Sequence, residues 1–197
     1  MSRLRLGILI SGRGSNMEQL LKAASAPDYP AQPAIVVSNK TDAEGLSIAS
    51  SMGVPVTAIP HKQFDTREAF EQALDGALRD ADVEILALAG FMRVLTPWFV
   101  SRWQGRMLNI HPSLLPKYPG LDTHARAIEA EDEEAGCSVH WVTEGVDEGA
   151  VIAQARVPIR PDDTPQTLAD RVLIEEHGLY PHALAMACER LSKKPSS

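Results

Sequence analysis

From Leu4 to Ile110 short apolar runs alternate with amphipathic segments, an order that few folds satisfy. Leu4–Ile10, Ala34–Ser38, Val56–Ile59, Ile85–Ala89 and Met107–Ile110 read as strands. Ile85–Ala89 is apolar at every position, as a strand covered on both faces must be. Between the strands, Asn16–Ser25 carries Leu20, Leu21 and Ala24 on one helical face. Thr66–Leu78 places Ala69, Phe70, Ala73, Leu74 and Ala77 at helical spacing. Ala43–Met52 reads as a further helix, for which Thr41-Asp42 offer a cap. Strand–helix alternation of this kind specifies an α/β, Rossmann-like fold, a mostly parallel twisted sheet flanked by helices.

After Ile110 the pattern changes. His111–Asp122 holds three prolines and Gly120, too many breakers for a helix or a central strand, so it reads as a rigid loop. Thr123–Glu131 follows as a helix. Ser138–Thr143 and Val151–Pro158 then form an expected antiparallel pair around the polar loop Glu144–Gly149. Pro165–Leu191 closes the chain as a long helix that Gly178 and Pro181 are expected to kink or interrupt. Trp98, Phe99 and Trp103 fit a partly buried helix on the sheet, and Glu129–Glu134 a solvated helix end. One domain is expected over residues 1–191, with a polar tail at 192–197.

Charge and cysteine content exclude several functions. With 19 Lys+Arg against 26 Asp+Glu the net charge is −7, which argues against general nucleic-acid binding while allowing a local pocket for one small anion. Cys137 and Cys188 are the only cysteines, without zinc spacing or a disulfide framework, and Cys137 reads as a buried strand residue. His111, His124 and His140 fall on different elements, so no metal is expected. No run approaches the ~18 apolar residues of a membrane span, and no cleavage site follows the first strand. No membrane association and a cytoplasmic location are the expectations.

The segment Ile10-Ser-Gly-Arg-Gly-Ser-Asn16 lies between the first strand and the first helix. Gly12 and Gly14 let the backbone approach a ligand, the helix end supplies N–H groups, and Ser15 and Asn16 add side-chain donors. Met17 stands at the third glycine position of a dinucleotide fingerprint, and no Gly-Lys-Ser/Thr follows, so a phosphate monoester is the better match. Asn109 and His111, at a strand end, point to the same side, an amide donor beside a titratable imidazole. Asp147 is the carboxylate candidate to pair with His111, with Asp122, Glu144 and Glu148 as rivals. There is no G-x-S-x-G elbow, which leaves direct transfer or proton shuttling as the favoured chemistry.

The stretches ISGRGSN (10–16), VSNK (37–40), FDTREAF (64–70), LAGFMRVLTPWFV (88–100), GRMLNIHPSLLPKYPGLDTH (105–124), GCSVHWVTEGVDEGAVIAQARVPI (136–159) and EEHGLYP (175–181) together resemble the folate-dependent formyltransferases. The resemblance covers about residues 4–190, and the SGRGSN loop resembles the branch that uses glycinamide ribonucleotide. It implies formyl transfer from 10-formyltetrahydrofolate, a cosubstrate, to that ribonucleotide, with Asn109, His111 and Asp147 as the catalytic set. Gly14, Ser15, Asn16 and Glu176 would hold the ribonucleotide. Met92, Arg93, Val94, Leu95, Asn109 and the loop Thr143, Glu144, Gly145, Val146 and Asp147 would shape the folate pocket, with Arg67 near the folate tail. Gly145 and Gly149 are candidate hinges of that loop. Arg13, Asp122 and Ala125 depart from what is common in the family. The implied partners are these two small molecules, the implied assembly a monomer or homodimer.

Formyltetrahydrofolate hydrolase, methionyl-tRNA formyltransferase and a non-enzymatic folate or nucleotide binder are the rival readings. The first two are expected to carry an additional domain for which this length leaves no room.

Overall fold

Residues 3–193 are described in a computed structural model of the chain. Seven strands form one sheet in the order β3-β2-β1-β4-β5-β6-β7. They are β1 (Leu4–Ile10), β2 (Ala31–Ser38), β3 (Val56–Ala58), β4 (Ile85–Leu88), β5 (Met107–His111), β6 (Glu134–Trp141) and β7 (Val151–Pro158). β1 to β5 pair in parallel, whereas β5–β6 and β6–β7 are antiparallel. The mostly parallel α/β sheet and the late antiparallel elements match the sequence reading.

Strand periodicity divides the core between the two faces. Leu6, Ile8 and Ile10 of β1 and Ile85 and Ala87 of β4 pack with α1 (Ser15–Ala24), α2 (Glu44–Ser51) and α6 (Pro165–Ser192). Leu9, Leu86 and Leu88 face the other way, onto α3 (Arg67–Asp80) and α4 (Pro97–Arg102). Leu108 and Ile110 of β5 belong to the first face and Met107 to the second. By the same alternation Asn109 and His111 project on the α3/α4 side.

Several boundaries differ from expectation for physical reasons. β2 starts at Ala31 rather than after Pro33, because a register shift opposite Leu6/Gly7 absorbs the missing proline N–H. β6 starts at Glu134, not Ser138. Its charged start is offset by a cross-strand pair of Arg156 Nη1 with Glu134 Oε2 at 2.7 Å. The acidic run is therefore no simple helix end, and its Asp132 binds Lys117 Nζ and the Tyr118 hydroxyl. Thr41-Asp42 do not cap α2; Ala43 precedes it without a side-chain cap. His61–Gln63 form a short 3-10 turn after β3.

α6 runs unbroken through Gly178 and Pro181. A helical proline costs about 3 kcal/mol, yet Tyr180, Ala183, Leu184, Ala187 and Cys188 are all fully buried around it. That packing outweighs the lost hydrogen bond, and the Tyr29 hydroxyl donates to the Pro181 carbonyl at 2.7 Å. Ser192 still belongs to the helix and Lys193 caps it, so the expected tail begins later than residue 192, and 194–197 lie outside the described residues. Phe99 and Trp103 are buried on the sheet as expected, while Trp98 is more exposed, under the Arg102 guanidinium. Both cysteines are buried and free. Among the described residues no helix is long and apolar enough to cross a membrane.

Candidate active site

In an open parallel sheet, ligands bind beyond the carboxyl ends of the strands where the strand order reverses. Here that point lies between β1 and β4, and β5 is the next strand across. Two clefts open there and share Met92.

The first cleft, of about 370 Å³, is lined by Ser11–Asn16, Lys40, Ala89, Gly90 and Met92. Gly14 sits in the left-handed region (φ 72°, ψ 38°) just before α1, which is why only glycine enters the helix cheaply at this point. No side chain caps α1, so its first-turn N–H groups and dipole are free for an anion. Arg13 and Lys40 are exposed cations of this cleft.

Asn16 Nδ2 donates to Glu176 Oε2 at 2.7 Å, and Asn16 Oδ1 is buried with no partner. An unsatisfied buried acceptor beside an open helix end suits a ligand that brings a hydroxyl or amine donor. Glu176 comes from α6, 160 residues away in sequence. Burial pushes its carboxyl above the ordinary range, only partly opposed by the Asn16 amide. The folded chain therefore holds this proton more tightly than the unfolded chain, a contribution lost as pH rises through the folded value. Glu176→Gln keeps an acceptor for Asn16 and removes the buried charge. Its Tm is expected to exceed the parent's near about pH 7 and to match it near about pH 4; equal Tm at both would show that the carboxylate pays no burial penalty.

The second cleft, of about 400 Å³, is lined by Leu88, Phe91–Leu95, Val100, Asn109, Gly120, Leu121, His140 and Val142–Asp147. Its walls are largely apolar, and the exposed side chains of Met92, Val94, Leu121 and Val146 stand around it. A flat heteroaromatic ring fits such walls. Met92, Arg93, Val94 and Leu95 and the loop Thr143, Glu144, Gly145 and Val146 all line it, whereas Arg67 opens α3 in an exposed position outside it.

The polar floor joins β5, β6 and the loop after β6. His111 Nδ1 lies 3.3 Å from Asp147 Oδ2, and its Nε2 lies 2.9 Å from the Tyr118 carbonyl. A carbonyl only accepts, so Nε2 carries the proton of that contact, and Nδ1 faces the carboxylate. Asp147 Oδ2 also accepts from the Gly120 N–H at 3.0 Å, which ties the rigid loop after His111 to the loop carrying Asp147. Within that rigid loop Leu115-Pro116 is a cis peptide. Of the four candidate carboxylates, Asp147 is the one that reaches His111; Asp122 instead precedes α5 (Thr123–Glu129) at φ 57°.

His140 completes the group and was not singled out from sequence. It is the direct cross-strand partner of Asn109, with its Nε2 3.4 Å from Asn109 Nδ2 and 3.5 Å from Asp147 Oδ1. Its Nδ1 donates to the Trp141 carbonyl at 3.0 Å. That leaves Nε2 between the Asn109 amide and the Asp147 carboxylate, and a second Asn109 N–H free. Burial pushes the Asp147 carboxyl up, but the His140 contact, the Gly120 N–H and the imidazole charges outweigh it and hold it below the ordinary range. Gly149 is buried, and a Cβ there would fall 1.6 Å from the Trp141 carbonyl oxygen, so close packing rather than hinge freedom explains the glycine. Among the described residues no cluster of His, Cys, Asp or Glu could hold a metal.

The sequence pattern of the formyl transferase family matches residues 4–184. A trifunctional purine biosynthetic protein adenosine-3 of Drosophila melanogaster is 50% identical over 186 residues, covering 93% of this chain and 14% of that protein. The chain thus spans a small part of the length of such trifunctional relatives. The phosphoribosylglycinamide formyltransferase of Escherichia coli (strain K12) is 44% identical over 178 residues, covering 90% of this chain and 84% of that one. The crystal structure of phosphoribosylglycinamide formyltransferase from Brucella melitensis superposes with a TM-score of 0.91 at 49% identity, covering 95% and 96% of the two chains.

Proposed function

Because the chain belongs to the formyl transferase family, we propose that it transfers the formyl group of 10-formyltetrahydrofolate to the amine of glycinamide ribonucleotide, a step of purine synthesis. The observation that carries this reading is the meeting of two clefts at Met92: one is an uncapped helix end suited to a phosphate ester, the other an apolar slot lined by Asn109, His140 and Asp147, with His111 held against Asp147. Relatives that bear the name phosphoribosylglycinamide formyltransferase support it over most of the chain.

In this reading the ribonucleotide phosphate sits on the N–H groups after Gly14, with Ser15 and Asn16 as donors. The partnerless Asn16 Oδ1 and Glu176 take the ribose side. The pteridine lies between Met92–Leu95 and Thr143–Asp147, which brings the formyl carbon over Asn109.

The neutral amine attacks that carbon, and the carbonyl π pair moves onto oxygen. The free N–H of Asn109 donates to the oxyanion. His111, held between Asp147 Oδ2 at 3.3 Å and the Tyr118 carbonyl at 2.9 Å, stabilises the same oxygen when its ring is protonated. The Asp147 carboxylate orients that ring as the negative charge develops. Collapse restores the carbonyl and breaks the bond to N10, while one proton passes from the attacking nitrogen to N10. Formylated ribonucleotide and tetrahydrofolate leave.

Mixing purified chain with 10-formyltetrahydrofolate, with and without glycinamide ribonucleotide, tests the reading. Tetrahydrofolate is expected only when the ribonucleotide is present. Release without it would point to the hydrolase, and no release under either condition would overturn the reading.

A further inference from the structure

The two clefts are joined by one buried hydroxyl. Ser11, directly after β1, is 4% exposed, and Asn39, directly after β2, is 3% exposed. The Met92 backbone N–H, from the segment after β4, donates to Ser11 Oγ at 2.8 Å. Ser11 in turn uses its one proton on Asn39 Oδ1, at 2.6 Å. That contact orients the amide, whose Nδ2 lies 3.1 Å from His61 Nδ1. Ser11 opens the loop of the anion cleft, and Met92 lines both clefts. The contact therefore crosses the split in strand order, from the lip after β1 to the lip after β4.

The far end of the same segment is held differently. Thr96 N–H, next to the cleft residue Leu95, donates to buried Glu71 Oε1 of α3 at 2.8 Å. Met92 is the residue that both clefts share, and Ser11 holds its backbone. The Ser11–Asn39 bond is buried and the Met92–Ser11 bond partly so, so moving one lip takes a partner from the other.

Resting on the function proposed above, we infer that Ser11 is a positioning residue that couples the two substrate seats: a ribonucleotide that orders residues 11–16 pre-orders Met92 for the folate, and the reverse. Ordering shared in this way is done once for both ligands and appears as reciprocal cooperativity.

Calorimetric titration tests it with two unreactive ligands, glycinamide ribonucleotide and a dideaza-folate that carries no formyl group. In the parent chain each ligand should tighten the other by about fivefold or more. In Ser11→Ala both should still bind, with the ratio of affinities with and without the other ligand falling to about one. Asn39→Ala, which lines neither cleft, should repeat that loss, and Ser11→Thr should restore the coupling. A general weakening of the fold would lower both affinities without abolishing their ratio. Additive binding in the parent, or undiminished coupling in both alanine variants, overturns the inference while leaving the function reading intact. Failure of the parent to bind either ligand overturns both.

Discussion

Asn109→Ala is expected to lower kcat by roughly 10²–10³-fold, about 3–4 kcal/mol, the usual cost of losing one oxyanion donor, and His111→Ala by at least as much. The first substitution is structurally mild: Asn109 is half-buried on β5, and its one side-chain partner is His140 Nε2 at 3.4 Å. Its loss should leave the unfolding midpoint near the parent's while removing an N–H that lines the apolar cleft. His111 is more deeply set, 6% exposed, and its Nε2 also holds the Tyr118 carbonyl. Its alanine variant should therefore lose some stability as well as rate. Initial rates with both substrates saturating separate the two effects, provided that circular dichroism shows a folded chain. Turnover within a fewfold of the parent in either variant would remove that residue from the oxyanion site.

Asp147→Asn is the sharper probe of charge. Asp147 adopts a left-handed backbone conformation, φ 57°, which asparagine tolerates better than alanine does. The amide oxygen can still accept from the Gly120 N–H, so the loop should stay where it is. What disappears is the negative charge facing His111 and His140. Removing the carboxylate beside a catalytic imidazole costs up to roughly 10⁴-fold in a comparable arrangement, and a loss of at least about 10²-fold is expected here.

The pH dependence follows from the sign of the shift. Burial raises the Asp147 carboxyl, but its hydrogen bonds and the imidazole charges hold it lower overall. A depressed carboxyl stabilises the fold above its unfolded value and loses that contribution as pH falls through the folded one. No loss of rate between about pH 5 and pH 7 should then trace to Asp147 protonation. If the parent shows an acidic limb in that window and Asp147→Asn abolishes it, the carboxyl titrates there and its place beside two imidazoles has been misjudged.

The legible parts of this protein share a cause. Ile85–Ala89 announces a covered strand because it is apolar at every position, and Leu4–Ile10 reads likewise as a short apolar run, interrupted by Arg5, that stops at Ser11-Gly12. The loop around Gly12 and Gly14 stands out because two glycines at a helix start let the backbone approach a ligand. Asn109 and His111 stand out together because a strand places alternate residues on one side. The less legible parts each depend on a distant partner. Pro33 stays in β2 only because a register shift against β1 receives it, and Pro181 stays in α6 because the sheet buries the residues around it. His140 looks like any strand histidine until β6 is laid antiparallel on β5. Arg67 belonged to the family resemblance rather than to any local signal, and it lies outside the cleft lining.

The sequence by itself determined the α/β class, the order of most elements and the residue types available for chemistry, since these follow from periodicity, backbone sterics and composition within a few neighbouring positions. Only the tertiary structure decided which carboxylate meets His111, that His140 faces Asn109, that Glu176 reaches Asn16 across 160 residues, and that Ser11 bridges two loops. Hydrogen bonds and ion pairs act over about 3 Å, and nothing in a local pattern states which remote strand or helix will bring a partner inside that distance.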